Sequence, residues 1–248
     1  MARTRRRGVG IAAANADTGR EMPPPLDRGQ VVRAALALLD EVGLDGLSMR
    51  RLADRLAIKA ASLYWYMRDK EELLGLLADA ISGEVHAPDT DMPWRARLEA
   101  LLWEYRRVLR AHRDAARILA GTVPAGPNRL RLVDMALGAL RAAGFDGLDA
   151  ARAGRLVVDY ATAFVLEEVN EANMVAGLRG HDGGEGEVAA DGPSRSPFAA
   201  IPADTYPSIA ALAAHLMDPD ADGRFRFGLA VVLDGLERRL ARPRDRST

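Results

Sequence analysis

Cationic, hydroxyl and aromatic side chains are concentrated between residues 48 and 70. Lysine, serine and tyrosine side chains, together with exposed methyl groups, are the groups with which a short helix contacts DNA phosphates and base edges. Tyr64, Trp65 and Tyr66 are consecutive, and three large aromatic side chains on one short helix cannot all be buried. The stretch therefore predicts a nucleic-acid-binding surface. The alternative is a small packed unit whose charges are only solvated surface.

Four short amphipathic helices are predicted to position these side chains. The first covers residues 27–42 and stops at Gly43, the second begins after the N-cap Ser48, and the third and fourth cover residues 59–66 and 69–84. Only three residues, Leu-Ala-Ile, separate the second helix from the third. This spacing is typical of a helix-turn-helix.

In a helix-turn-helix, the start of the third helix faces the major groove, and neighbouring helix starts contact phosphate. Ile58 and Leu63 are predicted to point inward, which leaves the polar and small residues of this helix outside. Arg50, in the first turn of the second helix, can bind a guanine through two hydrogen bonds. The predicted DNA-binding residues are Ser48, Arg50, Lys59, Ala60, Ala61, Ser62, Tyr64, Tyr66 and Lys70.

The remainder of the chain predicts more helices and no sheet, because apolar residues recur at spacings of three and four. We therefore expect an all-α protein, with an N-terminal helix-turn-helix domain at residues 26–84 and a larger helical domain at 85–241. Further helices are predicted at residues 94–111, 113–120, 127–143, 147–176, 207–217 and 222–241. The segment 177–206 is predicted to be a long loop, residues 1–25 a disordered basic tail and residues 242–248 a second disordered tail.

Composition argues against several other classes of protein. The absence of cysteine excludes disulfides and thiolate metal sites and fits a reducing cytoplasm. No apolar run reaches the roughly 18 residues of a membrane span, so no membrane partner is expected. The four histidines lack metal-ligand spacing, and the sequence has neither a glycine-rich phosphate loop nor a nucleophile elbow. No metal, cofactor or enzymatic activity is therefore predicted.

Charge is distributed weakly along the chain. Residues 1–82 carry 13 Lys and Arg against 11 Asp and Glu, whereas the remaining residues carry 21 against 24. The sign is the one expected if only the N-terminal part contacts DNA. The arginine-rich tail has two interpretations: an arm that enters the minor groove, or a disordered extension that adds nonspecific affinity.

The segments GLDGLSMRRLA (43–53), SLYWY (62–66) and DKEELL (69–74) resemble the N-terminal domain of the tetracycline repressor (TetR) family. Ala57 departs from the family pattern, which often has glycine in the turn, although alanine can occupy that position at modest conformational cost. The C-terminal half is similar to the tetracycline-repressor branch of the family in HRDAAR (112–117), GTVP (121–124), VLE (165–167), FGL (227–229) and GLE (235–237).

The resemblance implies a homodimer in which the eighth and last helices of each subunit form a four-helix bundle. Gly228 and Gly235 lie seven residues apart and permit close approach of helices on one face. The alternative is that these glycines only relieve crowding inside one subunit.

The resemblance also implies a pocket for a small-molecule effector among the central helices. The positions carried over from the family's pocket are His86, Leu101, Tyr105, Leu119, Thr122, Asp159 and Glu167. Leu119 replaces a histidine that binds the drug-bound magnesium in the family, and leucine cannot bind a hard cation. The pocket is therefore expected to be retained for a bulky, more apolar ligand. Alternatively, His86 is a solvated linker histidine, Glu167 belongs to a surface pair and Tyr105 is a core residue.

These observations predict a transcriptional repressor. Two recognition helices related by the two-fold axis of the dimer would occupy successive major grooves of a palindromic double-stranded operator. An effector in the C-terminal pocket would favour a state that does not fit the operator. The alternatives are a DNA-binding regulator that responds to no ligand and an activator, with an enzyme as a remote possibility.

Overall fold

The computed structural model describes residues 26–181, 201–216 and 218–241, and these residues form ten helices and no strand. This confirms the all-α prediction. The helices are α1 (Arg28–Gly46), α2 (Met49–Arg55), α3 (Ala60–Leu63), α4 (Lys70–Gly83), α5 (Trp94–Ala111), α6 (Ala115–Ala120), α7 (Pro127–Ala142), α8 (Gly147–His181), α9 (Pro207–Leu212) and α10 (Ala221–Leu240).

Several predicted boundaries differ from the observed ones, among them those of α8, α3 and α9. α8 continues to His181, so the first five residues of the predicted 177–206 loop are helical. α3 is only four residues long because residues 64–66 form i→i+3 turns instead of helix. α9 ends at Leu212, and residues 213–216 continue as turns. The predicted tails 1–25 and 242–248, and residues 182–200 of the predicted loop, lie outside the described residues.

The N-terminal unit is built around α1. Asp27 caps this helix in a reciprocal capping box with Gln30, which satisfies backbone donors at its start. Regular helix geometry stops at Gly43, where φ is +71°, as the sequence predicts. Glycine is required there for a second reason: a Cβ atom would lie 2.9 Å from the Arg113 side chain. Leu39 of α1 is fully buried, and side chains from the next three helices are buried with it.

α4 joins the two halves of the molecule, because it packs against α1 on one side and against α5, α6 and α7 on the other. Leu73, Leu77 and Ile81 form its fully buried stripe at spacings of four residues. Asp69 caps its first turn by accepting a hydrogen bond from the backbone N–H of Glu72 at 2.8 Å. α4 is therefore shared by the helix-turn-helix unit and the larger helical unit.

The larger unit packs α5, α7, α8 and α10 around a second part of the same core. Arg106 of α5 is 2% exposed and pairs with Glu168 of α8 and Asp222 of α10, each at 2.7 Å. Its guanidinium lies 4.8 Å from the centre of the Phe225 ring. Because a buried cation needs charged partners, this arginine ties three helices into one arrangement.

Candidate DNA-binding surface and effector cavity

The turn between α2 and α3 has the geometry of a helix-turn-helix. Ala57 has φ of +54°, in the left-handed region that favours glycine. The sequence-based expectation that alanine occupies a position suited to glycine agrees with this angle. Ser48 accepts a hydrogen bond from the backbone N–H of Arg51 at 3.3 Å and so caps α2. Leu63 is fully buried and Ile58 is half-buried, as predicted, so α3 is held against the preceding helices.

The outer side of α3 and the turn after it are open. Tyr64 is 59% exposed and Trp65 is 89% exposed, while Tyr66 is half-buried. The prediction that the three aromatic side chains cannot all be buried is therefore confirmed. Two of the other predicted DNA-binding residues, Ser48 and Ser62, are half-buried. The remaining five are exposed: Arg50, Lys59, Ala60, Ala61 and Lys70.

Trp65 is absent from the predicted set, although it is the most exposed large apolar side chain of this segment. The three consecutive aromatic residues indicate that at least one ring is exposed, but the sequence does not determine which of the three faces outward. Lys70, at the start of α4, lies close to the end of α1, with its Nζ 3.5 Å from the carbonyl oxygen of Leu44.

A cavity of about 630 Å³ lies in the larger unit and is bounded mainly by α5, α6, α7 and α8. Its walls are mostly apolar side chains, which suits a bulky hydrophobic ligand. Five of the seven predicted pocket positions line it: Leu101, Tyr105, Leu119, Thr122 and Asp159.

The other two predicted pocket positions do not line this cavity. His86 has an 84% exposed side chain and lies 2.6 Å from a carboxylate oxygen of Glu104, so it is a solvated linker histidine. Arg107 and His86 hold the pKa of Glu104 at about 2. Glu167 is exposed because the neighbouring Glu168 is the residue that turns inward, toward Arg106.

Hydroxyl groups supply part of the polar character of the cavity wall. The Thr162 hydroxyl donates to the carbonyl of Val158 at 2.9 Å, so it accepts the hydrogen bond from the Tyr105 hydroxyl at 3.1 Å. Burial raises the pKa of Tyr105, which keeps the phenol protonated. Thr122 also lines the cavity, and its hydroxyl donates a hydrogen bond to the carbonyl of Ile118 at 2.7 Å.

Arg129, in the first turn of α7, also lines the cavity, and sequence reasoning missed it. Its Nη1 donates to the Thr122 hydroxyl at 2.7 Å and to the Thr122 carbonyl at 3.0 Å, and its Nη2 donates to the Leu119 carbonyl at 3.1 Å. Burial lowers the pKa of this guanidinium. The arginine lies outside the motifs that carry the family resemblance, so nothing in the sequence singled it out.

α6 extends from the cavity to the helix-turn-helix unit. Leu119 near its C-terminal end lines the cavity. At its other end, Asp114 accepts a hydrogen bond from the backbone N–H of Leu44 at 2.8 Å. Arg117 binds both carboxylate oxygens of Asp45 at 3.1 Å. One short helix therefore contacts both the cavity and the end of α1 in the helix-turn-helix unit.

A second contact joins the cavity wall to α4. Asp79 of α4 accepts hydrogen bonds from the backbone N–H groups of Asn128 at 2.8 Å and of Arg129 at 3.0 Å. These are the free N–H groups at the start of α7, which has no capping side chain of its own. Gly126 allows this approach, since a Cβ atom there would lie 2.2 Å from the Asp79 carboxylate.

α10 presents an apolar face that the described residues of one subunit leave uncovered: Phe227 is 73% exposed and Val231 is 55% exposed. Of the two glycines predicted to permit close approach of helices, Gly235 has no atom of the subunit within 4 Å of an added Cβ. Gly228 serves the alternative role, since a Cβ there would lie 2.3 Å from the Tyr160 hydroxyl of α8 in the same subunit.

Two further observations concern the described residues only. None of the helices found in residues 26–181, 201–216 and 218–241 has the length and hydropathy needed to cross a membrane. In the same part of the chain, no three His, Cys, Asp or Glu side chains are grouped so that they could hold a metal ion.

Comparisons with known proteins agree with this architecture. The profile described as "Bacterial regulatory proteins, tetR family" matches residues 31–77, and "Tetracyclin repressor-like, C-terminal domain" matches residues 87–240. The class A tetracycline repressor from transposon 1721 of Escherichia coli is 39% identical over 217 residues, which cover 86% of this chain and 92% of that protein.

Two solved structures are also similar. ActR of Streptomyces coelicolor in complex with actinorhodin is 32% identical, with a TM-score of 0.75 over 88% of this chain and 100% of that chain. BioQ with its double-stranded DNA operator is 26% identical, with a TM-score of 0.58 over 85% of this chain and 98% of that chain. The two family profiles, the high coverage of the repressor and the common fold lead to one conclusion: the chain belongs to the tetracycline repressor (TetR) family.

Proposed function

We propose that the protein is a homodimeric transcriptional repressor that binds a palindromic operator and is released from it by a small molecule. The observation that carries the proposal is the placement of α6, which lines an apolar cavity at one end and binds the end of α1 at the other. A relative solved with actinorhodin and another solved with its operator support both halves of the proposal. We place the protein in the cytoplasm and assign it a regulatory, non-catalytic role.

The exposed start of α3 would enter the major groove, with the predicted set of residues around it. Lys59, Ala60 and Ala61 would face base edges, whereas Tyr64 and Lys70 would contact phosphate. The two-fold axis of the dimer would place two such helices in successive major grooves, about one helical turn apart. A ligand in the cavity would change the position of α6 and, through Asp114 and Arg117, that of the helix-turn-helix unit.

Ligand and operator must weaken each other's binding by the same factor, because the coupling free energy is shared. The cavity of about 630 Å³ favours this proposal over a regulator that responds to no ligand. An activator would bind DNA in the same way, so a transcription assay is needed to distinguish repression from activation.

The test is a mobility-shift titration of the purified dimer on the DNA upstream of its own gene, with an unrelated DNA of equal length as control. We expect a specific shift that a bulky, largely apolar compound releases. A bound site without two half-sites related by two-fold symmetry would contradict the proposed dimeric arrangement. A specific complex that no compound releases, in a library that spans apolar and polyketide-like molecules, would favour the regulator that responds to no ligand.

A further inference from the structure

The cavity wall contains a guanidinium, that of Arg129, which no carboxylate of the described residues contacts. Within the described residues, the Arg129 side chain donates hydrogen bonds only to uncharged oxygens: the carbonyls of Leu119 and Thr122 and the Thr122 hydroxyl. Within the described residues, its guanidinium has no Asp or Glu oxygen within 4 Å. A half-buried guanidinium that binds only neutral acceptors would gain free energy from an anionic partner.

Other arginines of the same unit show the contrast. Arg106 is paired with Glu168 and Asp222, and Arg224 binds both carboxylate oxygens of Glu171 at 2.6 and 2.8 Å. These cations are matched by anions of the protein, as is usual for arginines removed from water. Arg129 is the exception in the cavity wall.

Asp79 acts on the Arg129 guanidinium through space, but its oxygens bind other groups. Asp79 binds the backbone N–H groups at the start of α7 and the side-chain amide of Asn128, at 2.8 to 3.1 Å. The other charged groups that line the cavity are Arg155 and Asp159, which neutralise each other in an ion pair of 2.6 Å. Because Arg129 cannot lose its proton in a protein, the side chains that line the cavity carry one net positive charge, and Asp79, which does not line it, acts on this charge only through space.

The remaining wall is largely apolar and cannot supply an anion. Leu101, Leu119 and Leu132 line the cavity, and the Tyr105 hydroxyl donates its hydrogen to Thr162. An anionic partner for Arg129 inside the cavity would therefore come from the ligand. A carboxylate, sulfonate or phenolate oxygen suits a guanidinium best, since charge-assisted hydrogen bonds are about twice as strong as neutral ones.

We propose that the effector is an apolar molecule that carries a single anionic oxygen group, and that Arg129 binds this group. The inference rests on the proposed function, because it specifies the ligand class of the same cavity. The apolar body of the ligand would occupy the space between α5, α7 and α8, and its anionic end would face the junction of α6 and α7.

The test uses two fluorescent probes with one skeleton. Anilinonaphthalene sulfonate carries a sulfonate, and N-phenylnaphthylamine is the same aromatic amine without it. Both are titrated into the full-length dimer, with mutual competition to show that they share one site per subunit. We expect the wild type to bind the sulfonate probe about tenfold or more tightly than the neutral probe.

Three variants assign the preference to Arg129. Arg129→Gln should weaken the sulfonate probe by about tenfold or more and leave the neutral probe within about twofold. Arg129→Lys keeps the charge and should retain part of the preference. Arg131→Gln is the matched control on the same helix: this arginine donates to the Val85 carbonyl at 3.0 Å and does not line the cavity. It should change neither affinity.

Equal wild-type affinity for the two probes, or no binding of the sulfonate probe, would overturn the inference. An equal loss of both probes in Arg129→Gln, with Arg129→Lys no better, would also overturn it, because the arginine would then only support the fold. Operator binding without any probe is measured in parallel. A wild type that prefers the sulfonate but binds no specific DNA would contradict the proposed function and leave the ligand assignment standing.

Discussion

At the scale of single residues, Tyr64 is the clearest test of the DNA-binding surface, because its side chain is 59% exposed beside the buried Leu63. Tyr64→Ala should weaken operator binding by about tenfold, since each of two half-sites would lose one hydrogen bond of roughly 0.5–1.5 kcal/mol. Mobility shift measures the affinity, and light scattering checks that the dimer persists. Tyr206→Ala is the matched control, because Tyr206 is 52% exposed in the other unit. Equal effects of both substitutions would contradict the assigned surface.

The second residue-scale prediction concerns the strained turn. Ala57 has φ of +54°, and a left-handed conformation costs a residue with a side chain about 1–2 kcal/mol. Glycine avoids this cost but loses about 0.5–1 kcal/mol more entropy on folding. Ala57→Gly should therefore raise the free energy of unfolding by about 0.5–1 kcal/mol. Denaturant titration at fixed protein concentration measures it.

The control for this substitution is Ala37→Gly, in the exposed interior of α1. Glycine should destabilise that position by about 1 kcal/mol, because no positive φ compensates for the lost helix propensity. If both substitutions destabilised the protein to the same extent, the left-handed conformation of Ala57 would carry no strain.

At the scale of elements, one carboxylate of α4, that of Asp79, caps the start of α7. Asp79→Ala should lower the free energy of unfolding by about 1–2 kcal/mol, because it leaves the first N–H groups of α7 without an acceptor. Asp134→Ala, an exposed position on α7, should have almost no effect. Thermal and denaturant unfolding measure both variants. Similar stability of the two variants would mean that solvent replaces the cap without loss.

The same contact predicts opposite effects for two glycines that flank or occupy α7. Gly126→Ala should destabilise the protein, since its Cβ would lie 2.2 Å from the Asp79 carboxylate. Gly138→Ala should stabilise it by about 0.5–1 kcal/mol, because the position is helical and has no atom within 4 Å. In the Asp79→Ala background the cost of Gly126→Ala should shrink, and a double-mutant cycle measures this coupling. Strict additivity would show that the two residues do not constrain each other.

At the scale of the whole molecule, the uncovered face of α10 should hold two subunits together. Val231→Asp places a charge in this face, where Val231 is 55% and Phe227 is 73% exposed within one subunit. We expect the variant to sediment as a monomer at micromolar concentration, since burying an unpaired carboxylate is costly. Val123→Asp, at an 80% exposed loop position, is the control and should remain dimeric. A dimeric Val231→Asp would place the interface elsewhere.

Local signals in the sequence predict the all-α fold and the helix-turn-helix, and the resemblance to the family supplies five positions of the cavity wall. Apolar residues at spacings of three and four, capping residues such as Ser48 and Asp69, and the stop at Gly43 are local signals that the chain states directly. Leu119 and Thr122 are carried over from the resemblance to the family, and both line the cavity.

Which side chains meet across helices follows from the packing of the helices and not from any local pattern. The capping of α7 by Asp79 joins residues 49 positions apart, and no local pattern predicts it. The inward turn of Glu168 and the outward turn of Glu167 depend on how α8 is rotated against α5, which adjacent acidic residues cannot reveal. That no described carboxylate contacts Arg129 is likewise visible only in three dimensions, because electrostatic pairing depends on distance in space and not in sequence.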